Sequence, residues 1–217
     1  MVGASYGVCE PGQIKAKAQV DRMSTALLLI DFINLLPGKP TPLGARAVRA
    51  AVNAAILKQQ AKHSGVPVIY ANDHFGDWRS DFPSLVQSCH ERRGHPQKLA
   101  RIMCPDPDDY TVLKPMHSAF YGTPLEFLLD ELGVRRLILA GLEADICVLA
   151  TAQDAYMRKF QLWIPSNCVA SRSAQRMKGA LTLLNHNLKA STRPAHAGLR
   201  LAHGFAAKTG KAVTEKT

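Results

Sequence analysis

Three residues able to do chemistry stand at the ends of apolar runs that are typical of buried strands. Asp31 follows the run 24–30, Lys114 closes the run 111–114, and Cys147 lies just beyond the run 135–140. Because the carboxyl ends of parallel strands share one edge of a sheet, these three side chains can converge there. Each type also has an ordinary role, as a loop cap, a solvated ammonium or a small buried thiol. Their joint placement favours catalysis.

The stretch GLEADICVLAT, residues 141–151, holds the most suggestive of the three. Gly141 ends a strand, and a helix is expected to begin near Asp145, which places Cys147 on its first turn. A helix N-terminus carries partial positive charge and favours a thiolate over a thiol. We therefore predict that Cys147 is a nucleophile with a lowered pKa.

The hydrophobic pattern predicts alternating strands and helices, and hence a three-layer α/β domain around a parallel sheet. Strands are predicted at 24–30, 66–71, 111–114, 135–140 and 161–166, with a short sixth strand near 188–191. Helices are predicted at 44–64, 123–132, 145–159 and 173–187. The polar segment 72–107 is expected to be a long loop with one short helix at 83–89. We divide the chain into an extension at 1–22, the domain at 23–192 and a loose basic tail at 193–217.

The amino-acid composition limits the classes of protein to which the chain can belong. The chain has 217 residues, of which 47% are hydrophobic, enough for one sizeable core. It shows no apolar run of about 20 residues and no signal-peptide pattern, so we expect a cytoplasmic protein without a membrane partner. The five cysteines are odd in number and form no close pairs, which favours free thiols over disulfides or structural zinc.

The net charge of +10 raises the question of nucleic acid binding. Residues 171–217 hold nine basic and one acidic residue, whereas residues 23–170 hold fifteen basic and fourteen acidic residues. The excess therefore belongs to the C-terminal quarter and not to the predicted catalytic body. We do not expect nucleic acid to be a partner.

Several segments resemble the isochorismatase-like cysteine hydrolases, which include nicotinamidases, N-carbamoylsarcosine amidohydrolases, ureidoacrylate amidohydrolases and isochorismatases. The segments are ALLLIDFIN, the stretch from VLKPMHSAF to GLEADICVLAT, and IPSNCVAS, in that order within 24–175. The resemblance implies a Rossmann-like sheet of order 3-2-1-4-5-6 and a catalytic triad of Asp31, Lys114 and Cys147. It also implies an oxyanion hole made of the backbone N–H groups of Glu143 and Cys147, with a cis peptide bond at Leu142–Glu143.

The implied reaction is hydrolysis of a C–N bond in a small amide or carbamoyl compound. Cys147 would attack the carbonyl, Asp31 would carry the protons, and a thioester would be hydrolysed by water. The reaction needs no cofactor.

The chain departs from the family pattern at several positions. Nicotinamidases bind a metal through an Asp-x-His pair after the second strand, but here Asp73 and His74 are adjacent. We therefore predict no metal, although His74, His90 and His95 leave that question open. Glu143 stands where Ala or Thr is more usual, which predicts a pocket particular to this chain.

By the same resemblance, six side chains are expected to bind the substrate: Phe32, Asn72, His74, Trp78, His117 and Phe120. Core packing or a subunit interface is the alternative for Trp78 and Phe120. The resemblance also implies a homo-oligomer, either a dimer or a tetramer.

Two alternative functions remain. The first is isochorismatase-type hydrolysis of a vinyl ether, a reaction that does not require a covalent cysteine intermediate. The second is a non-catalytic binding protein that uses the basic C-terminus. The presence of the complete triad argues against both alternatives.

Overall fold

A six-stranded parallel sheet forms the centre of the molecule. In the computed structural model, residues 24–36, 42–198 and 200–205 are described. The strands run in the order β3-β2-β1-β4-β5, and β6 pairs with β4 beyond the end of β5. Their bounds are β1 Ser24–Ile30, β2 Val68–Asp73, β3 Tyr110–Lys114, β4 Val134–Leu142, β5 Gln161–Trp163 and β6 Val169–Ala170.

Helices connect the strands and cover both faces of the sheet. They are α1 Pro42–His63, α2 Phe82–Glu91, α3 His95–Ile102, α4 Leu125–Glu131, α5 Leu149–Met157, α6 Ala174–His186 and α7 Leu201–Gly204. A π-helical turn, Ala144–Val148, leads directly into α5. Within the described ranges, no helix has the length and apolar character needed to span a membrane.

The sheet separates two apolar cores. Successive side chains of a strand point to opposite faces, so Leu27 and Leu29 of β1 pack in one core with α1, α2 and α3. Leu28 and Ile30 pack in the other core with α4, α5 and α6. The predicted three-layer α/β fold is confirmed.

Two elements differ from the prediction. The segment 72–107 contains a second helix, α3, because Pro96, Leu99 and Ala100 lie at the i, i+3, i+4 spacing that puts them on one buried face of a helix. The sixth strand is Val169–Ala170, not 188–191. From the predicted segment, Ser191 forms a single parallel bridge with Trp163.

The first part of the predicted basic tail packs on the body of the protein. The indole N–H of Trp163 donates to the carbonyl oxygen of Arg193 at 2.7 Å, and Asn167 exchanges two hydrogen bonds with the backbone of Ala195. The ring of Phe205 lies 6.0 Å from that of Trp163. Arg193, Ala195 and Phe205 therefore contact the domain, although the sequence predicts a loose tail there. Residues 206–217 and the predicted extension at 1–22 lie outside the described residues.

Candidate active site

Asp31, Lys114 and Cys147 meet at the carboxyl edge of the sheet. The Nζ atom of Lys114 lies 2.9 Å from the Asp31 carboxylate and 3.6 Å from the Cys147 sulfur. Strands β1, β3 and β4 deliver the three residues from separate parts of the chain. The geometry therefore brings together the carboxylate, ammonium and thiol that the sequence predicts as a triad.

Asp31 directly follows β1 and has a left-handed backbone, at a φ of 52°. That conformation costs an L-residue roughly 1 kcal/mol, although Asp tolerates it better than most. Its carboxylate is almost fully buried and accepts the backbone N–H of Asp73 at 2.8 Å. Burial raises the pKa of the Asp31 carboxyl, and the Lys114 ammonium only partly opposes that shift. A carboxylate with a raised pKa is a stronger general base.

Lys114 is fully buried at the end of β3. Burial by itself would lower the pKa of its ammonium, but the carboxylates of Asp31 and Asp73, together with the Cys147 sulfur when it is ionised, outweigh burial and raise that pKa. Besides its contacts with Asp31 and Cys147, Lys114 donates a hydrogen bond to the carbonyl oxygen of Met116 at 3.2 Å. The residue is thus a fixed cation between the carboxylate and the sulfur.

Cys147 is the fourth residue of the π-helical turn, and its side chain is partly buried. Its sulfur also lies 3.8 Å from Nδ1 of His117. Burial and the Asp31 carboxylate raise the pKa of the Cys147 thiol to about 12, and Lys114 only partly offsets them. The expected lowering of this pKa is therefore wrong. The resting group is a thiol, and it needs a base to become a nucleophile.

The peptide bond between Leu142 and Glu143 is trans, as are the other peptide bonds of the described residues. The expected cis bond is therefore wrong for this structure. Glu143 has an extended backbone, with a φ of −81° and a ψ of 143°, and links the last residue of β4 to the π-helical turn. The role of its N–H group in an oxyanion hole stays a prediction.

Gly141 allows β4 to lie close to β1 where the site begins. Its φ is 150°, and a Cβ atom at this position would collide with the carbonyl oxygen of Ile30. We expect Gly141→Ala to lower the free energy of unfolding by about 3 kcal/mol or more, measured by urea denaturation.

Gly179 provides the matched control for that substitution. It lies in α6, and apart from its chain neighbours and the nearby backbone of its own helix, no atom lies within 4 Å of the position that a Cβ atom would take there. Gly179→Ala should raise stability by up to about 1 kcal/mol, as expected in a helix. Equal effects of the two substitutions would contradict the close approach of β4 and β1.

A cavity of about 260 Å³ lies beside the triad, with Asp31 and Cys147 among its lining residues. This volume is slightly below the ~300 Å³ at which drug-sized ligand sites begin, which indicates a small substrate. Asp31, His117, Glu143 and Arg172 contribute polar side chains to its wall, and the remaining lining residues are Asn34, Leu36, Leu43, Asp73, Phe75, Leu142 and Ile146.

Of the six side chains expected to bind the substrate, His117 alone is among the residues that line this cavity. Phe32 is fully buried in the core beneath α1. Phe120 is buried in the opposite core, with its ring 6.0 Å from that of Phe160 and under the guanidinium of Arg158. Both aromatic rings pack in the cores because the apolar faces of the sheet offer them more contact than the cavity wall does.

The other three expected residues form the structure beside the cavity. Asn72 is fully buried and donates to the carbonyl oxygen of Ile33 at 2.6 Å. Nδ1 of His74 accepts the N–H of Gly76 at 3.0 Å, and its ring lies 4.6 Å from that of Trp78. The side chain of Trp78 is 80% exposed, so it lies at the surface and not in the cavity.

Sequence reasoning missed most of the cavity wall, including Asp73 and Arg172. Asp73 closes β2 two residues beyond the predicted end of that strand, and Arg172 follows β6. For Asp73 the available signal was its position just after a predicted strand, as for the triad. Arg172 had no such signal, because the strand before it was not predicted.

The sheet topology and the cysteine-centred site define an α/β enzyme of the Rossmann-like type. The family model named isochorismatase domain matches residues 25–193. The uncharacterized isochorismatase family protein YaaI of Bacillus subtilis is 37% identical over 170 residues, which cover 78% of this chain and 93% of that protein.

Two further relatives extend the comparison. Maleamate amidohydrolase of Pseudomonas putida is 32% identical over 157 residues, covering 68% of this chain and 72% of that protein. The crystal structure of N-carbamoylsarcosine amidase from Thermoplasma acidophilum has a TM-score of 0.62 at 28% identity, covering 79% of this chain and 96% of that chain. The chain belongs to the isochorismatase family and is a hydrolase of that family.

Proposed function

We propose that the protein is a cysteine hydrolase that cleaves the C–N bond of a small amide or carbamoyl compound through a thioester on Cys147. The observation that carries this proposal is the position of Lys114 Nζ, 2.9 Å from the Asp31 carboxylate and 3.6 Å from the Cys147 sulfur. The similarity to maleamate amidohydrolase and N-carbamoylsarcosine amidase supports the choice of a C–N bond.

The first step forms the nucleophile. The Cys147 proton passes to the Asp31 carboxylate, and the sulfur attacks the substrate carbonyl carbon to form a C–S bond. Because the pKa of the free thiol is raised to about 12, very little thiolate is present at neutral pH without this transfer. The Lys114 ammonium stabilises the sulfur anion while it forms.

The attack turns the carbonyl oxygen into an oxyanion, which needs fixed hydrogen-bond donors. Cys147 lies in the first turn of a helix, where backbone N–H groups lack partners within the helix. We propose that the N–H groups of Cys147 and Glu143 donate to the oxyanion.

Collapse of the tetrahedral intermediate breaks the C–N bond and leaves an acyl thioester on the sulfur. Protonated Asp31 gives its proton to the leaving amine, which departs as ammonia or a small amine. Asp31 then takes a proton from water, and the resulting hydroxide attacks the thioester carbonyl. The C–S bond breaks to release the carboxylic acid, and Asp31 returns its proton to the departing sulfur, which restores the Cys147 thiol and the Asp31 carboxylate.

No step of the proposed reaction requires a metal ion, since Cys147 supplies the nucleophile and Asp31 carries the protons. His90 and His95 do not line the cavity. In the part of the chain that the structure describes, the potential ligands close enough to share an ion are Asp106, Asp108 and Asp109. These three precede β3, at the opposite edge of the sheet, and form ion pairs with Lys58 and Lys62.

A screen of small primary amides and carbamoyl compounds for ammonia release tests this function. The expected result is release of ammonia from at least one compound, with the Cys147→Ala variant as the inactive control. Hydrolysis of isochorismate by both the native protein and the variant, with no ammonia from any amide, would support the vinyl-ether alternative instead. Homo-oligomer formation and a cytoplasmic location stay predictions from the sequence.

A further inference from the structure

Glu143 and Arg172 form an ion pair on the wall of the cavity beside Cys147. The Nε atom of Arg172 donates to both carboxylate oxygens of Glu143, at 2.9 and 3.2 Å. The Glu143 side chain is only 10% exposed, whereas that of Arg172 is 60% exposed. The carboxylate therefore belongs to the interior of the cavity, and the guanidinium covers it from the solvent side.

The backbone of Arg172 is held as well. A guanidinium nitrogen of Arg46, on α1, donates to the carbonyl oxygen of Arg172. The position of the pair is thus set by α1 and the segment after β6 on one side, and by the end of β4 on the other.

The side chains that line the cavity carry a net negative charge. Asp31, Asp73 and Glu143 contribute three carboxylates to the lining, and Arg172 contributes one cation. The nearby Lys114 is fully buried and is not among the lining residues. Lys114 is already engaged by Asp31, and Arg172 by Glu143. Among the described residues of the wall, no cation is left in excess to receive a carboxylate of the substrate.

A substrate carboxylate would meet two difficulties at this pair. If it displaced Glu143 from Arg172, a nearly buried carboxylate would lose its ionic partner, which is strongly unfavourable. If it bound beside Glu143, the two negative charges would repel each other in a site of reduced dielectric. A neutral amide meets neither difficulty, and an ammonium or N–H group of a substrate gains Glu143 as an acceptor.

We infer that the Glu143–Arg172 pair selects the substrate, so that the enzyme accepts neutral or positively charged amides and discriminates against amides that carry a carboxylate. In this respect it would differ from its relative maleamate amidohydrolase, whose named substrate carries a carboxylate. This inference rests on the proposed C–N hydrolase function. Glu143 acts here through its side chain as a specificity determinant, separately from the proposed role of its backbone N–H.

Three amides of similar size and different charge test the selection: butyramide, β-alaninamide and succinamate. For the native protein we expect kcat/KM to be at least tenfold higher for β-alaninamide than for succinamate. The substitution Glu143→Gln keeps the size of the side chain and removes its charge. It should lower the ratio of these two kcat/KM values by at least tenfold, with butyramide as the uncharged reference.

Glu126→Gln is the matched control. Glu126 also accepts an Arg Nε hydrogen bond at 2.9 Å, from Arg158, but lies outside the cavity on α4. This variant should keep the native ratio. A native protein that prefers succinamate, or a Glu143→Gln variant with an unchanged ratio, would overturn the inference.

A second readout separates this inference from the proposed function. Protection of Cys147 from iodoacetamide reports occupation of the cavity whether or not the amide is cleaved. If none of the amides releases ammonia, the proposed function fails for them. The concentrations that protect Cys147 still rank the affinities of the cavity for the neutral, the positively charged and the negatively charged amide. Protection by succinamate at a concentration equal to or below that of β-alaninamide would contradict the inference on its own.

Discussion

Replacing Cys147 with alanine is expected to reduce kcat/KM for any amide substrate by about a thousandfold or more, because the variant lacks the atom that forms the thioester. The free energy of unfolding should change by only about 1 kcal/mol, since Cys147 is only partly buried and the change is small. Steady-state ammonia release and urea denaturation measure the two quantities.

Cys104→Ala is the control for a general effect of removing a thiol. Cys104 is exposed and lies between α3 and β3, on the edge opposite the triad. This variant should retain native turnover. Substantial amide hydrolysis by Cys147→Ala would show that the sulfur is not the nucleophile.

Replacing Asp31 with asparagine is expected to lower turnover and to raise the reactivity of Cys147 at the same time. Turnover should fall by about 10²- to 10⁴-fold, because the variant lacks the group that carries protons. The effect on the thiol has the opposite sign. The Asp31 carboxylate raises the pKa of Cys147 and Lys114 lowers it, so removal of the carboxylate leaves the ammonium dominant over the remaining charge effects.

A lower pKa means more thiolate at pH 8, and alkylation of Cys147 by iodoacetamide should therefore be faster in Asp31→Asn than in the native protein. Site-specific mass spectrometry follows the rate at Cys147 alone. Asp130→Asn, an exposed carboxylate on α4, should change neither turnover nor alkylation. Slower alkylation of Asp31→Asn would contradict the resting-state effect, because it would show that the carboxylate increases the thiolate fraction before substrate binds as well as accepting the Cys147 proton during turnover.

The main strands were predictable because their signal is local. The apolar run ending at Asp31 and the one ending at Gly141 each lie in a strand buried on both faces, where nearly every side chain is hydrophobic. The convergence of the triad followed from the parallel topology, which places all carboxyl ends on one edge. Helix α3 was missed because its buried face consists of few residues, chiefly Leu99 and Ala100, in a segment dominated by polar ones.

The walls of the cavity were less predictable, since they depend on which way each loop turns after its strand. Phe32 follows Asp31 directly, yet its ring packs in the core while the carboxylate of Asp31 faces the cavity. Arg172 is separated from Glu143 by 29 positions in the sequence, and no local sequence pattern predicts that the two residues form an ion pair. The predicted lowering of the Cys147 pKa is wrong because it rests on the helix N-terminus. Burial of the thiol and the charge of Asp31, which the local sequence does not show, raise this pKa.

The most direct test of the thioester mechanism is a search for the acyl-enzyme during turnover. The native protein is mixed with a slowly cleaved amide and quenched in acid, and its peptides are analysed by mass spectrometry. The mechanism predicts the mass of the acyl group on the peptide that contains Cys147, its removal by hydroxylamine, and its absence in Cys147→Ala. An acyl group on a different residue, or continued turnover with no acyl group on Cys147 at any time of quenching, would contradict it.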